Sequence, residues 1–283
     1  MTPAQTPTEK VTRAIGVDVG ATLAKLAFRA PGGALEFALL PAAHAEAVAA
    51  RVRAFDPDRV GLTGCGASAL EARLGMTCRQ SIEFEAWGRG SRSLLGNRGL
   101  DDGSPYLLVS VGTGTSVLRV EGTDVARVGG TALGGGTLMG LSSALTGKTD
   151  YEEICRLAER GDRGRVDLQV ADLYSASEIG LPGETTAAAF GKLSRPESEA
   201  PSVEDLSAAI LGLVGENVAL IGCGIAYATG VRRLVYGGGT LHDNPALVSL
   251  LHAVTSMAGC EPILLEHGSF AGAVGALESA GNS

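Results

Sequence analysis

The sequence predicts an α/β protein built as two lobes, and three observations lead there. A short apolar strand that breaks into glycines and hydroxyls occurs twice, once within Ile15 to Leu26 (IGVDVGATLAKL) and once in Val109 to Gly114 (VSVGTG). Each copy returns at once as a second strand, so each reads as a hairpin with a polar tip. After each hairpin, strand and helix patterns alternate, which is the mark of a mixed α/β architecture. Residues 1–102 are expected to form the first lobe and residues 103–283 the second.

Composition narrows the classes of function. The 283 residues include 41 glycines but only 4% aromatics, so tight turns are plentiful and base-stacking platforms are few. A net charge of −8 leaves no basic field suited to a phosphate backbone. Nucleic-acid binding is therefore not expected, and small anions would have to be held by local devices. The five cysteines, Cys65, Cys78, Cys155, Cys223 and Cys260, form no CxxC pair, which points to free thiols rather than a zinc site or disulfide framework. Met1 to Lys10 is polar and lacks the basic and apolar halves of a secretory signal, so a cytoplasmic protein is expected.

In the first lobe, Ala14 to Asp18 and Ala24 to Phe28 read as strands around the tip Gly20-Ala21-Thr22. Such a tip offers backbone N–H groups and a hydroxyl to phosphate oxygens, with Asp18 placed to hold Mg²⁺ through water and Lys25 adding positive charge. An ordinary hairpin reads the same way on this stretch alone. Leu35 to Leu40 gives a third strand, Ala42 to Arg53 a helix, Arg59 to Thr63 a buried strand and Ala67 to Leu74 a short helix. In Ser81 to Gly90 (SIEFEAWGRG) the acidic and apolar residues alternate, so Glu83 and Glu85 share a face if this is a strand end. A carboxylate there suits general-base work on a hydroxyl, whereas a helix N-terminus would equally attract acidic residues. Trp87 reads as a packing residue.

The second lobe repeats the hairpin, with Tyr106 to Val111 and Ser116 to Val120 flanking Gly112-Thr113-Gly114-Thr115. The repetition is more specific than either copy and predicts a nucleotide clamped between two similar lobes. Arg127 to Gly140 (RVGGTALGGGTLMG) is the densest glycine run and leads into a helix, so Gly135 and Gly136 are expected to aim N–H groups at a nucleotide phosphate. Arg127, at the entrance of the run, is a two-pronged donor for a carboxylate. Tyr151 to Arg160 reads as a helix and Ile179 to Ala189 as a lid or connector. Ser202 and Asp205 form a capping box before the long apolar helix Leu206 to Ala228. Glu216 and Asn217 within it argue for a buried interface helix and against a membrane span. Leu234 to Tyr236 is a strand ending at Gly237, Gly238 and Gly239, where a flat adenosine would lie against bare backbone, before the helix Pro245 to Ala258. Ile263 to Leu265 and Phe270 to Leu277 close the chain as strand and small-residue helix. His242 and His267 read as loop residues.

The order of these motifs resembles the sugar kinase, Hsp70 and actin superfamily, and within it the type II pantothenate kinases. The resemblance rests on IGVDVGATLAKL, on IEFEA at Ile82 to Ala86, on VGTGTS at Val111 to Ser116 and on RVGGTALGGGTLMGL at Arg127 to Leu141. It continues through TDYEEICRLAERGDR at Thr149 to Arg163, VGE at Val214 to Glu216 and GSFAGAVGAL at Gly268 to Leu277. Ala21 departs from the family start, where a second glycine is usual, and YGGGTLHDNP is less polar than the family's adenosine turn.

The resemblance implies a two-lobed actin-like ATPase (ribonuclease H-like) fold with the nucleotide in the interlobe cleft. It implies ATP- and Mg²⁺-dependent phosphorylation of pantothenate, the first step towards coenzyme A, by a homodimer formed through the Leu206–Ala228 helix. Glu83 would then be the base, Arg127 and Thr113 would meet the substrate, and Asp18, Gly20, Thr22, Lys25, Gly112 and Gly114 would hold phosphates and Mg²⁺. Gly135 and Gly136, with Gly237, Gly238 and Gly239, would hold the rest of ATP. A kinase of the same fold acting on an amino sugar or another small hydroxyl compound, and a nucleotide-binding regulator without turnover, remain as alternatives.

Overall fold

The computed structural model describes residues 13–29, 33–175, 180–195 and 200–281. The expected N-terminal signal-free segment, and Ile179 at the start of the expected lid, lie outside the described residues. The chain divides into two compact units, the first comprising the described residues up to Gly103, Thr123–Val125 and those from Glu266 onward, and the second the remainder.

In the first unit, β1 (Ala14–Val19) and β2 (Leu23–Arg29) pair antiparallel, with Asp18 opposite Lys25. Next, β3 (Leu35–Pro41) extends the meander. After α1 (Ala45–Phe55), β4 (Arg59–Thr63) returns parallel to β1, and after α2 (Ala67–Leu74) the short β5 (Arg79–Gln80) completes the sheet order β3-β2-β1-β4-β5. Ile15, Val17, Leu26, Phe28 and Leu62 meet Val48, Val52 and Leu70 of the two helices in one core. Each such side chain contributes roughly 1.5–3 kcal/mol by leaving water. The unit continues into α3 (Glu83–Gly96).

The second unit repeats the plan. β6 (Tyr106–Val111) pairs antiparallel with β7 (Thr115–Glu121), and β8 (Asp124–Thr131) lies beyond it. There follow α4 (Gly135–Thr146), α5 (Tyr151–Arg160), the small ribbon β9 (Leu168–Gln169) and β10 (Thr186–Ala188), and the long α6 (Val203–Thr229). Then β11 (Arg233–Gly237) runs parallel to β6, α7 (Pro245–Met257) follows, and β12 (Glu261–Leu264) closes the order β12-β11-β6-β7-β8. Two sheets of identical order, each a meander followed by parallel strands, are what the two hairpins foretell.

The helix α6 begins at the expected box, where Ser202 and Asp205 satisfy each other's backbone N–H groups. It is long and apolar enough to cross a membrane by length and composition, yet 61% of its most apolar stretch is buried inside the protein. Ile210, Val214, Val218 and Cys223 on it pack with Val109, Leu138, Ile154, Leu234 and Leu247 in the core of the second unit. The charge in its middle is satisfied: Glu216 accepts from Arg163 Nη1 at 2.9 Å and from the Thr186 hydroxyl at 3.0 Å. Arg163 also donates at 2.8 Å to the fully buried Asp167, so the ribbon segment is tied to α6 by an ionic node.

Three expectations need correction. The stretch from Ile82 is not a strand end, because Ile82 is the extended cap residue of α3 and Glu83 its first helical residue. Glu83 and Glu85 are then roughly 200° apart around the helix and do not share a face. The start of the glycine run is strand, not loop, since Arg127 to Thr131 belongs to β8. Finally, the division at residue 102 describes the first crossing only. The last helix, α8 (Ala271–Gly281), expected in the second lobe, packs in the first unit. The reason is steric: a methyl at Gly16 on β1 would lie 2.0 Å from the Ala273 carbonyl oxygen, and one at Gly61 on β4 would lie 1.9 Å from that of Ala276. Only glycine lets sheet and helix backbones meet so closely.

Candidate active site

Three ionisable side chains converge in the first unit. Asp18 and Lys25 are cross-strand partners beside the tip of the β1–β2 hairpin, so their side chains rise on one face. The Lys25 ammonium lies 3.6 Å from Asp18 Oδ2. The tip is closed by the Gly20 N–H donating to the Leu23 carbonyl at 3.1 Å, while Thr22 is exposed. Glu83, half-buried at the head of α3, senses both groups. Burial pushes its carboxyl up, the nearby Asp18 charge pushes it further, and Lys25 partly offsets this. A helix N-terminus alone would lower it, so desolvation and the like charge win.

Asp18 is only 3% exposed, and its Oδ1 is buried without a hydrogen-bond partner. Leaving such an oxygen unmatched costs about 1–3 kcal/mol or more for a charged group. The carboxylate is held between two glycines: a methyl at Gly64 would lie 2.7 Å from Oδ1, and one at Gly272 on α8 would lie 2.5 Å from Oδ2. No group of three or more His, Cys, Asp or Glu side chains able to cage a metal occurs among the described residues. A single orphaned carboxylate oxygen beside a lysine fits a hydrated Mg²⁺ whose remaining ligands are water and phosphate, the usual habit of that ion.

The second unit assembles its own set. Gly112 N–H donates to Gly114 O at 2.8 Å, which shapes the β6–β7 tip. The Gly112 carbonyl accepts from Gly135 N–H at 2.8 Å and from the Thr240 hydroxyl at 2.8 Å, and the Thr113 carbonyl accepts from Gly136 N–H at 2.9 Å. Here the expectation for Gly135 and Gly136 is corrected, because their N–H groups are given to the hairpin and not to an anion. Their lack of side chains permits that docking: methyls at Gly134, Gly135 and Gly136 would lie 2.7 Å from Gly112 O, 2.5 Å from Thr240 Oγ1 and 2.8 Å from Thr113 Cγ2. The arrangement has a useful consequence. In a trans peptide the N–H opposes the carbonyl, so anchoring the carbonyls of 112 and 113 to α4 turns the N–H groups of Thr113 and Gly114 the other way. Adjacent N–H groups turned away from α4 are free of those carbonyl contacts and suited to an anion.

The remaining expected residues differ in role. Arg127 is exposed on β8, beside Gly130, and has no ion-pair partner among the described residues. Gly237 ends β11. Gly238 has φ 109° and leaves no room for a methyl, which would lie 2.3 Å from the Val111 carbonyl, whereas Gly239 faces open space. Sequence reasoning missed the supports of this turn. The Tyr151 hydroxyl donates to the Thr240 carbonyl, Asn244 Nδ2 donates to that hydroxyl at 3.0 Å, and Asn244 Oδ1 caps α7 through Leu247 N–H at 3.1 Å. Asn followed by Pro245 is a legible helix start, and it was the available signal.

Comparison with known proteins places the chain. The family model Fumble matches residues 97–279. A type II pantothenate kinase of Staphylococcus saprophyticus is 33% identical over 265 residues, covering 93% of this chain and 98% of that protein. The chain belongs to the type II pantothenate kinase family. Another type II pantothenate kinase, from Staphylococcus aureus, is 32% identical over 263 residues with the same coverage of 93% and 98%. Among solved structures, component A of the (R)-2-hydroxyglutaryl-CoA dehydratase of Acidaminococcus fermentans superposes with a TM-score of 0.64 at 18% identity, covering 95% of this chain and 97% of that one. A ROK family glucokinase from Streptomyces griseus, in complex with glucose and AMPPNP, gives 0.56 at 14% identity over 96% and 100%. These establish the actin-like ATPase fold for this pantothenate kinase relative.

Proposed function

We propose that the protein transfers the γ-phosphoryl group of ATP to the primary hydroxyl of pantothenate, giving 4′-phosphopantothenate for coenzyme A synthesis. The observation that carries the reading is the meeting of Asp18, Lys25 and Glu83 in the first unit of a chain from this family. Phosphoryl transfer asks a protein mainly for positioning and charge stabilisation. Lys25, with the N–H groups and Thr22 hydroxyl of the first tip, would bind phosphate oxygens, and the outward N–H groups at Thr113 and Gly114 would do the same from the second tip. Asp18 Oδ1 would accept a hydrogen bond from a water held by Mg²⁺; when bound, that ion supplies positive charge against the developing charge on the phosphates. Glu83 would take the proton of the attacking hydroxyl, and its raised carboxyl places it closer to neutral pH, where a general base is effective. Arg127, exposed and without an ion-pair partner among the described residues, would grip the pantothenate carboxylate. Gly239 would leave space for the adenosine, and Gly135, Gly136, Gly237 and Gly238 would shape the nucleotide site by close packing.

The working unit would be a cytoplasmic homodimer. Leu220 and Tyr227 of α6 are each 55% exposed and stand seven residues apart, on one stripe of the helix, and Met257 at the end of α7 is 70% exposed. Sedimentation of Leu220→Glu checks this: a monomer is expected.

The test of function is phosphate transfer from ATP to a panel holding pantothenate, amino sugars and other small alcohols, with products weighed by mass spectrometry. Selective formation of phosphopantothenate is expected. Preference for an amino sugar would replace the substrate while keeping the kinase, and ATP binding without any product would favour a regulator.

A further inference from the structure

We propose that Gly272, in the first turn of α8, is a positioning residue that sets the Asp18 carboxylate for a divalent cation, through its contact with that carboxylate and with Trp87. The proposal rests on the reading of Asp18 as the cation-facing group. Gly272 is buried, and a methyl there would lie 2.5 Å from Asp18 Oδ2, 2.8 Å from Asp18 Cγ and 2.8 Å from Trp87 Cδ1. All three are closer than carbon makes with neighbours it does not displace. The helix cannot step aside. It is held backbone to backbone by Gly16 and Gly61 of the sheet and by Gly90 of α3, where methyls would lie 2.0, 1.9 and 1.8 Å from carbonyl oxygens of α8. An added methyl must therefore move the carboxylate or the indole.

Other glycines of α8 lack this link. A methyl at Gly275 would lie 1.8 Å from the Ala86 carbonyl oxygen and near no charged group, so its demand is packing alone. At Gly272 the neighbour is the buried carboxylate with an oxygen left unpartnered. Any shift of Asp18 thus changes where that oxygen points.

Trp87 is the only tryptophan of the chain, so its fluorescence reports directly on this contact. The experiment titrates Mg²⁺ into the full chain with ATP and no acceptor, following Trp87 emission, for wild type and Gly272→Ala. Wild type should respond, and the Mg²⁺ concentration at half response should rise at least tenfold in the variant. In turnover, the variant's Mg²⁺ dependence should shift alike with the KM for pantothenate unchanged. A wild type whose emission ignores Mg²⁺, or a folded variant with wild-type Mg²⁺ dependence, overturns the proposal. If the wild type responds but phosphorylates another acceptor, the assignment of substrate fails and that of Gly272 stands. Should Gly272→Ala not fold, Trp87→Ala with Gly272→Ala frees the far side of the methyl. This double variant is compared with Trp87→Ala by calorimetry of ATP binding with and without Mg²⁺. Recovered folding with displaced cation dependence supports the proposal; no recovery, or recovery with unshifted dependence, overturns it.

Discussion

Gly90 and Ala271 meet with no side chain between them: a methyl on Gly90 would lie 1.8 Å from the Ala271 carbonyl oxygen. This contact, with Gly275 against Ala86, fixes α3 on α8, and thereby fixes Glu83 relative to Asp18. Gly90→Ala is expected to destabilise the protein by about 3 kcal/mol, since backbone cannot yield as a flexible side chain does. Thermal unfolding by circular dichroism should show a fall of roughly 6–12 °C.

Glu83→Gln should lower kcat by about 10²- to 10⁴-fold while ATP binding persists. It should also raise the melting temperature at neutral pH. The folded-state pKa of Glu83 lies above its unfolded value, so its contribution to stability is present at low pH and lost as pH rises through the folded value. Removing the charge removes that loss. Retained turnover would sink the assignment of Glu83 as base.

The acid limb of the kcat/KM profile should fall at a pH above the ordinary glutamate range, because the base must be ionised and burial favours its neutral form. Lys25 opposes that shift, so Lys25→Met should move the limb to still higher pH. A limb that stays put would separate Lys25 electrostatically from Glu83.

Arg127→Ala should raise the KM for pantothenate about 10- to 100-fold, the loss of one charge-assisted contact worth roughly 1.5–3 kcal/mol. Its melting temperature should match wild type, because Arg127 is exposed and without an ion-pair partner among the described residues. An unchanged KM would favour an acceptor lacking a carboxylate.

Asp167→Ala should cost about 3–5 kcal/mol, as expected when a buried ion pair loses one partner. Asp167 also accepts Phe190 N–H at 2.8 Å, so proteolysis around the β9–β10 ribbon should speed up in the variant. A melt like that of wild type would show that Glu216 alone satisfies Arg163.

Much of this was legible in the sequence where chemistry is local. The two hairpins, the box at Ser202 and Asp205, and the strand before Gly237 are written in neighbouring residues, and the structure has them within a few positions. Glu83 was legible as a residue but not as a helix start, because five residues of alternating polarity suit both a strand and a cap followed by a first turn. Glycine was the main source of error. The sequence shows that a side chain is absent at Gly135, Gly136 and Gly272, but not whether the space serves an anion, a carbonyl or a carboxylate. Likewise, nothing local in residues 271–281 says that they pack on strands made near the start of the chain.

That last packing has a consequence for biosynthesis. On the ribosome, β1, β4 and α3 emerge long before α8, and the whole second unit is made in between. Until α8 arrives, Gly16, Gly61 and Gly90 face an unfilled slot, and Asp18 lacks one of its two walls. The nascent chain therefore carries a complete hairpin whose buried carboxylate is enclosed on one side only. Synthesis of residues 271–281 is then the step that completes the packing of the first unit.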